Sequence, residues 1–362
     1  MSTSKKEENG HPVIIQDEPA DSGELDKEQS GDRVRNFVLC AGFITMELGK
    51  QISAFGSSQF NGGRHLIHAS TIVALIELVK LCICVCLFSP KKELTSLKFT
   101  WNFLIPAFMY GVTNNLFLYT MNVTPPPLWN TLIQTRVIMT VVIYRIVFKK
   151  GTTPMRGLAM FILILGITLA ALSGSSTGRS VQEPTMRIVI RAVVLSLVSS
   201  ALSSAASVYT EYLYKKNNGP SMQHQVQMYL FSVGMTTVWS LYITKGHPFA
   251  IHGRVSVGRI LLIFATVILC SIGSLLLPAI VKKMDSIVKV YSSVATIVLM
   301  AFLCTWLFPK SFQLNLPYLA AILIILASSV MYERAKPKDA SSEKLVTLSS
   351  GDALSLDPEK IL

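Results

Sequence analysis

Ten apolar runs long enough to cross a bilayer follow one another in this chain. They lie near residues 36–56, 66–88, 101–121, 127–148, 156–174, 188–213, 222–244, 258–281, 286–308 and 313–333. A helix needs about 20 such residues to span the hydrocarbon core. Every backbone N–H and C=O must be satisfied internally in lipid, and a helix does this within one segment. The runs therefore predict an all-α membrane protein with ten transmembrane helices. Composition agrees: 51% hydrophobic residues, 15% charged residues and a mean hydropathy of +0.48 exclude an ordinary soluble domain.

Charge is unevenly placed. Residues 1–30 carry a net −5 and residues 336–362 a net −1, so the overall +12 leaves +18 on the body of the chain. A basic body favours an anionic substrate or anionic membrane lipid. The polar ends, 1–35 and 334–362, are predicted to be disordered cytosolic tails, and the first 30 residues are too polar for a cleavable signal peptide. Lys and Arg favour the flanks and the loops after the second, fourth, sixth and eighth runs by about two to one. These loops read KKEL, KKGTTPMR, KKNN and KKMD. Both termini then face the cytosol, in keeping with an even number of spans. The sequon Asn122-Val-Thr124 would face the lumen, but it abuts the membrane and a proline and is predicted to be unused.

The segment from Phe148 through Pro154 and LAMFILILGITL is similar to the one from Phe308 through Pro317 and LAAILIILASSV. The offset superposes runs four and five on runs nine and ten. Five helices per half is odd, so the halves, 36–174 and 188–333, must be inverted relative to one another. That is the architecture of a secondary transporter, with its site between the halves near the midplane.

Polar residues inside the runs are the candidates for function. Arg136 lies deep in the fourth run, after three prolines, and positions 132, 133, 139 and 140 offer it no carboxylate. An intramembrane Arg without a partner on its own helix points to an anionic ligand, the alternative being that it snorkels to an interface. Trp129, Asn130 and Gln134 precede it, and Asn114 and Asn115 occupy the third run. Glu47 and Lys50, and likewise Glu77 and Lys80, stand at i,i+3, so each pair either neutralises itself or faces a ligand. Glu211 and Lys215 read as a structural pair at a helix end. Gln225 and Tyr229 share a face, with Gln227 between them. Lys289 lies four after Asp285, and either pairs with it or faces the cavity opposite Arg136. The six Cys read as small hydrophobes, without a metal-binding pattern. All six His lie in tails, loops or helix ends, and neither HExxH nor paired intramembrane Asp occurs. No catalytic residue, metal or cofactor is indicated, and an enzyme is not expected.

Several short stretches, in order, resemble the nucleotide-sugar transporters, in the branch that carries CMP-sialic acid, UDP-galactose and UDP-N-acetylglucosamine. IELVKL resembles the family's ExxK on its second helix, and VTNNLFLY its NN motif on the third. WNTLIQTR resembles YQVTYQLK on the fourth helix. VQMYL and VKKMDSIVKVYSS resemble IQMYL and VKxxDNIxKxxS further on. The resemblance covers about residues 66–333 and implies a ten-helix carrier of the drug/metabolite transporter superfamily. It further implies import of a nucleotide sugar, a UDP-sugar by preference, into the Golgi or endoplasmic reticulum lumen in exchange for nucleoside monophosphate. Carried over residue by residue, the substrate cavity holds Asn114, Asn115, Trp129, Arg136, Tyr229 and Lys289. Arg136 and Lys289 would hold phosphate, Trp129 or Tyr229 would stack on base or sugar, and Asn114, Asn115, Asn130 and Gln227 would hydrogen-bond. Trp129 stands where the family has Tyr, Arg136 where it has Lys, and Leu277 and Pro278 where it has small hydroxyl residues. These departures mark a divergent member, and the alternative reading is a non-transporting scaffold of Golgi glycosylation. A homodimer or a complex with glycosyltransferases is left open, and no nucleic acid is implied. The C-terminal Ile361-Leu362 is a weak trafficking signal.

Overall fold

A computed structural model describes residues 22–88, 99–148, 153–175, 185–216, 221–253, 255–283 and 286–335. Among the described residues there is no strand. The helices are α1 (Ser22–Gln59), α2 (Ala69–Phe88), a 3-10 turn (Trp101–Phe103), α3 (Leu104–Val123), α4 (Pro126–Leu132) and α5 (Thr135–Phe148). They continue as α6 (Pro154–Ser175), α7 (Thr185–Lys216), α8 (Ser221–Ile243), α9 (Val257–Lys283), α10 (Ser286–Leu307) and α11 (Leu316–Arg334).

Local chemistry sets the ends of these elements. The chain turns after α1 through Gly62 and Gly63, at φ 72° and 84°, a region that favours residues without a Cβ. Extended Pro125 caps α4, whose first residues are the other two prolines, placed where an N–H has no helical acceptor. Asn315 caps α11 by accepting the Tyr318 backbone N–H at 2.9 Å.

Among the described residues, five helices are long and apolar enough to cross a membrane: Ala69–Cys86, Pro154–Gly174, Arg187–Tyr214, Val257–Leu276 and Leu316–Arg334. A shorter apolar stretch covers Ser292–Leu307. The helices that fall short of that test include three with polar candidates, α3 with its Asn pair, broken α4–α5 with Arg136, and α8 with Gln225 and Gln227, whereas α2 passes it despite Glu77 and Lys80.

Two differences from the sequence reading stand out. The fourth run is not one helix, because Ile133 and Gln134 form a turn between α4 and α5. And α1 begins at Ser22, well before the apolar run at 36. Its early residues include Glu, Leu, Lys and Gln, which are good helix formers, with Glu24 and Asp26 near the positive end of the helix dipole.

Helices before residue 176 pack chiefly on helices after residue 184: α6 on α11, α2 on α8, α1 on α9, α3 and α5 on α7. The main core gathers at the end of the bundle where the chain crosses between α1 and α2, α3 and α4, and α10 and α11. Phe55 meets Phe308 edge-on at 5.0 Å, and Phe312 meets Tyr318 at 5.1 Å. Around them Leu66, Leu118, Met121, Trp129, Ile297 and Met300 are buried. This end of the bundle is closed by dense apolar packing.

Candidate functional site

The interior polar cluster is built from α2 outward. Glu77 and Lys80 share one helix face and are 1% and 4% exposed, so water does not screen them. The Lys80 ammonium lies 2.5 Å from Glu77 Oε1, and Asn114 of α3 donates to the same oxygen at 2.8 Å. The ammonium also stands over the Tyr229 ring of α8, 5.2 Å from its centroid. Two buried opposite charges, a shared amide donor and an aromatic face offset much of the desolvation cost of burying ions. Glu47 and Lys50 form a second pair, on α1, at 2.7 Å. It is only partly buried.

Cys84, one turn beyond Lys80, packs with Tyr229, Met228 and Ala107, against which Tyr110 lies. Tyr110 reaches toward Ser207 and Thr210 of α7 and lies within electrostatic range of Arg136. Tyr214 of α7 stacks on His224 at 5.4 Å, and Phe103 stacks on that imidazole at 5.1 Å. The cluster thus runs from Lys80 through Tyr229 and Tyr110 toward Arg136.

Arg136 owes its placement to the break. The Arg136 N–H bonds to Ile133 C=O and the Val137 N–H to Gln134 C=O, both at 3.0 Å in tight i,i+3 turns. The Thr135 hydroxyl donates to Leu132 C=O. The freed backbone groups are therefore partly satisfied locally, which allows a discontinuity at membrane depth. Arg136 then lies in the first turn of α5, where the helix dipole adds to its own positive charge. Its side chain is exposed and makes no ion pair among the described residues. Its carbonyl accepts from Ser204 of α7 at 3.2 Å and from Thr140 at 2.8 Å.

The other candidates divide. Asn115 points away from Asn114 and bonds to Gly111 C=O of its own helix at 2.9 Å. Trp129 is 4% exposed and packs in the main core, 6.5 Å from the Phe117 ring. Asn130 is buried beside it, and its amide nitrogen has no hydrogen-bond partner among the described residues. Gln227 accepts the Thr100 N–H at 3.3 Å, tying α8 to the start of α3. Lys289 lies in the first turn of α10, but its side chain, like Asp285, Leu277 and Pro278, lies outside the described residues. Ser293, one turn after Lys289, lines a small cavity of 160 Å³ with Gln134, Ser328 and Tyr332.

Tyr110, Tyr214, Ser207 and Thr210 were not singled out from the sequence. A signal existed for two of them: Tyr110 stands four before Asn114, and Tyr214 four after Thr210, so each pair shares a helix face. Among the described residues no group of His, Cys, Asp or Glu gathers to hold a metal.

A membrane-embedded helical bundle that buries a charge pair and carries, at a break in one helix, an exposed guanidinium without an ion pair among the described residues has the makings of a carrier for an anionic solute. The chain belongs to the nucleotide-sugar transporter family, which it matches over residues 53–333. Members of this family are transporters, not enzymes. It is similar to CMP-sialic acid transporter 1 of Oryza sativa subsp. japonica, 27% identical over 82% of this chain and 94% of that one. The UDP-galactose transporter senju of Drosophila melanogaster is 22% identical over 90% of this chain and 93% of its own. The UDP-galactose transporter of Schizosaccharomyces pombe is 22% identical, with coverage of 80% and 84%. A protein of known crystal structure superposes with a TM-score of 0.51 at 11% identity, over 85% of this chain and 99% of the other. That likeness concerns the fold alone.

Proposed function

We propose that the chain carries a nucleotide sugar, a UDP-sugar, across the Golgi membrane in exchange for nucleoside monophosphate. The observation that carries the reading is the break before α5. It brings Arg136 to a helix N-terminus within electrostatic range of Tyr110, which packs beside Tyr229 and so leads to Lys80, an arrangement suited to a phosphate group. Arg136 and Lys289 hold the phosphates in this reading, while Asn114 and Tyr229 contact ribose or base beside the Glu77–Lys80 pair. A bound anion offsets the cations in a low-dielectric cavity, so the loaded site reorients more cheaply than the empty one. The dense core closes the lumenal end, which leaves the site facing the cytosol.

Ten transmembrane helices in two inverted five-helix repeats complete the proposal. With α4 and α5 taken as one broken helix, each helix of the first half has a counterpart five positions later. Exchange of the counterparts maps α2 on α8, α4–α5 on α10 and α6 on α11 onto themselves. It maps α1 on α9 onto α7 on α3, and α2 on α9 onto α8 on α3. A pseudo-two-fold axis between the halves accounts for this pattern.

The second reading, a non-transporting scaffold, is favoured by one observation: Trp129 is locked in the core rather than open to stack on a base. Proteoliposomes holding purified protein separate the two. The carrier predicts uptake of labelled UDP-sugar that needs UMP preloaded inside and is lost in Arg136→Gln. Uptake no greater than in empty vesicles, with folded protein, refutes the carrier and supports the scaffold.

A further inference from the structure

A sizeable cavity lies apart from the charge pair of the polar cluster. It is a groove of 1380 Å³ along α3 and α8, from the 63–70 loop region to Ala107 and Phe231. Of the candidate substrate residues only Asn115, whose amide bonds to its own helix, lines it; Arg136, Lys80 and Tyr229 do not. Its walls are apolar and turned outward: Phe108, Tyr119, Leu230, Val238, Trp239 and Tyr242 are all more than two-fifths exposed. In a membrane such a face meets lipid. From Ala107 to Val123 the groove follows α3 for about 24 Å at 1.5 Å per residue, a length suited to an extended acyl chain. The volume exceeds the roughly 300–1,000 Å³ of ordinary small-molecule pockets.

Two features mark the groove as more than surface roughness. Its floor holds Gly234, where an added Cβ would meet no atom within 4 Å. Glycine in a helix interior lowers stability relative to alanine, and no neighbour requires it here. Its charge is confined to one end. Arg64 is the only ionised side chain among the lining residues, with His68 and His252 beside it and no carboxylate. The Ser70 backbone N–H donates to His68 Nδ1 at 3.3 Å, so neutral His68 carries its hydrogen on Nε2, free to donate.

We infer that this groove binds one glycerophospholipid, with its phosphodiester against Arg64, His68 and His252 and its acyl chains along α3 and α8. A guanidinium and an imidazole N–H complement a phosphate, and a long apolar trough complements what the phosphate carries. The inference does not depend on which solute the polar cluster carries.

Native mass spectrometry of the full chain in detergent micelles tests it, after titration with phosphatidylinositol or with diacylglycerol of the same acyl chains. Wild-type protein should retain one phosphatidylinositol per chain and much less diacylglycerol. Arg64→Gln, in an exposed loop, should weaken phosphatidylinositol roughly tenfold and leave diacylglycerol unchanged. Gly234→Phe, which fills the trough, should weaken both lipids, and Gly234→Leu serves if the larger side chain prevents folding. Equal retention of the two lipids, or unchanged retention in the folded Gly234 variants, overturns the assignment. So does displacement of the lipid by inorganic phosphate alone, which would reduce the site to an anion contact. A dimer mass that disappears in the Gly234 variants would instead make this face an interface between two copies, and would equally overturn the lipid assignment.

Discussion

At Glu77 and Lys80 the question is whether two buried charges stabilise the bundle or only tolerate one another. Removing one partner leaves the other ionised and unpaired, which costs roughly 3–5 kcal/mol, whereas replacing both by apolar residues is often neutral. Glu77→Gln alone should therefore lower the unfolding midpoint in detergent markedly, and Glu77→Leu with Lys80→Met should restore most of it. A double variant as unstable as the single one would show that the loss lies in packing, not in charge. His65 offers a second test. It is 3% exposed, donates from Nε2 to Leu118 C=O at 3.2 Å and meets the Ser57 hydroxyl at 2.8 Å. Burial is the main cause that holds its pKa down, at about 4 against an ordinary 6.5. The unfolded chain binds that proton more readily, so the stability His65 contributes is complete above pH 6.5 and is lost as pH falls through about 4. His65→Gln should flatten the pH dependence of the melting temperature across that window. A slope that stays the same would exclude His65 as its source.

Among the elements, the broken fourth helix positions Arg136, the proposed phosphate ligand. Its three prolines and its Arg are plain in the sequence, but the break itself is not. It falls in Leu132-Ile133-Gln134-Thr135, which contains neither Pro nor Gly. The turn there rests on the Thr135 hydroxyl and on packing against α7 and α10, elements remote in sequence. Hydrogen exchange should therefore show faster amides at 133–135 than at 138–143, slowed by bound nucleotide. Uniform protection across 128–146 would mean the helix is continuous in solution. The long α1 was hidden for a related reason. Hydropathy marks where a helix meets lipid, not where the helix begins.

For the whole molecule, the all-helical membrane class was legible, because apolar runs of bilayer length admit few alternatives. The site was legible only in part. Glu77, Lys80, Asn114 and Tyr229 come together because their helices pack side by side, and the motifs named all four. Tyr110 and Tyr214 escaped notice because a tyrosine in a membrane helix is common, and only packing decides which way it faces. Trp129, which the motifs did name, is a core residue for the same reason. Tags at residues 2 and 360 should both be reached by antibody once the plasma membrane alone is opened, and a tag that also needs the Golgi membrane opened contradicts cytosolic termini.

The central claim is that Arg136 holds a phosphate. The measurement that reaches it most directly is binding of UMP and of uridine to purified wild-type, Arg136→Lys and Arg136→Gln protein, each checked for folding. A charge-assisted hydrogen bond contributes roughly 1.5–3 kcal/mol, about one to two decades in affinity. Arg136→Lys keeps the charge but loses the guanidinium fork, so it should bind UMP measurably but more weakly. Arg136→Gln should lose one to two decades for UMP and little for uridine, so that nucleotide and nucleoside bind nearly alike. Unchanged UMP affinity with an unchanged preference over uridine would mean that Arg136 does not hold the phosphate.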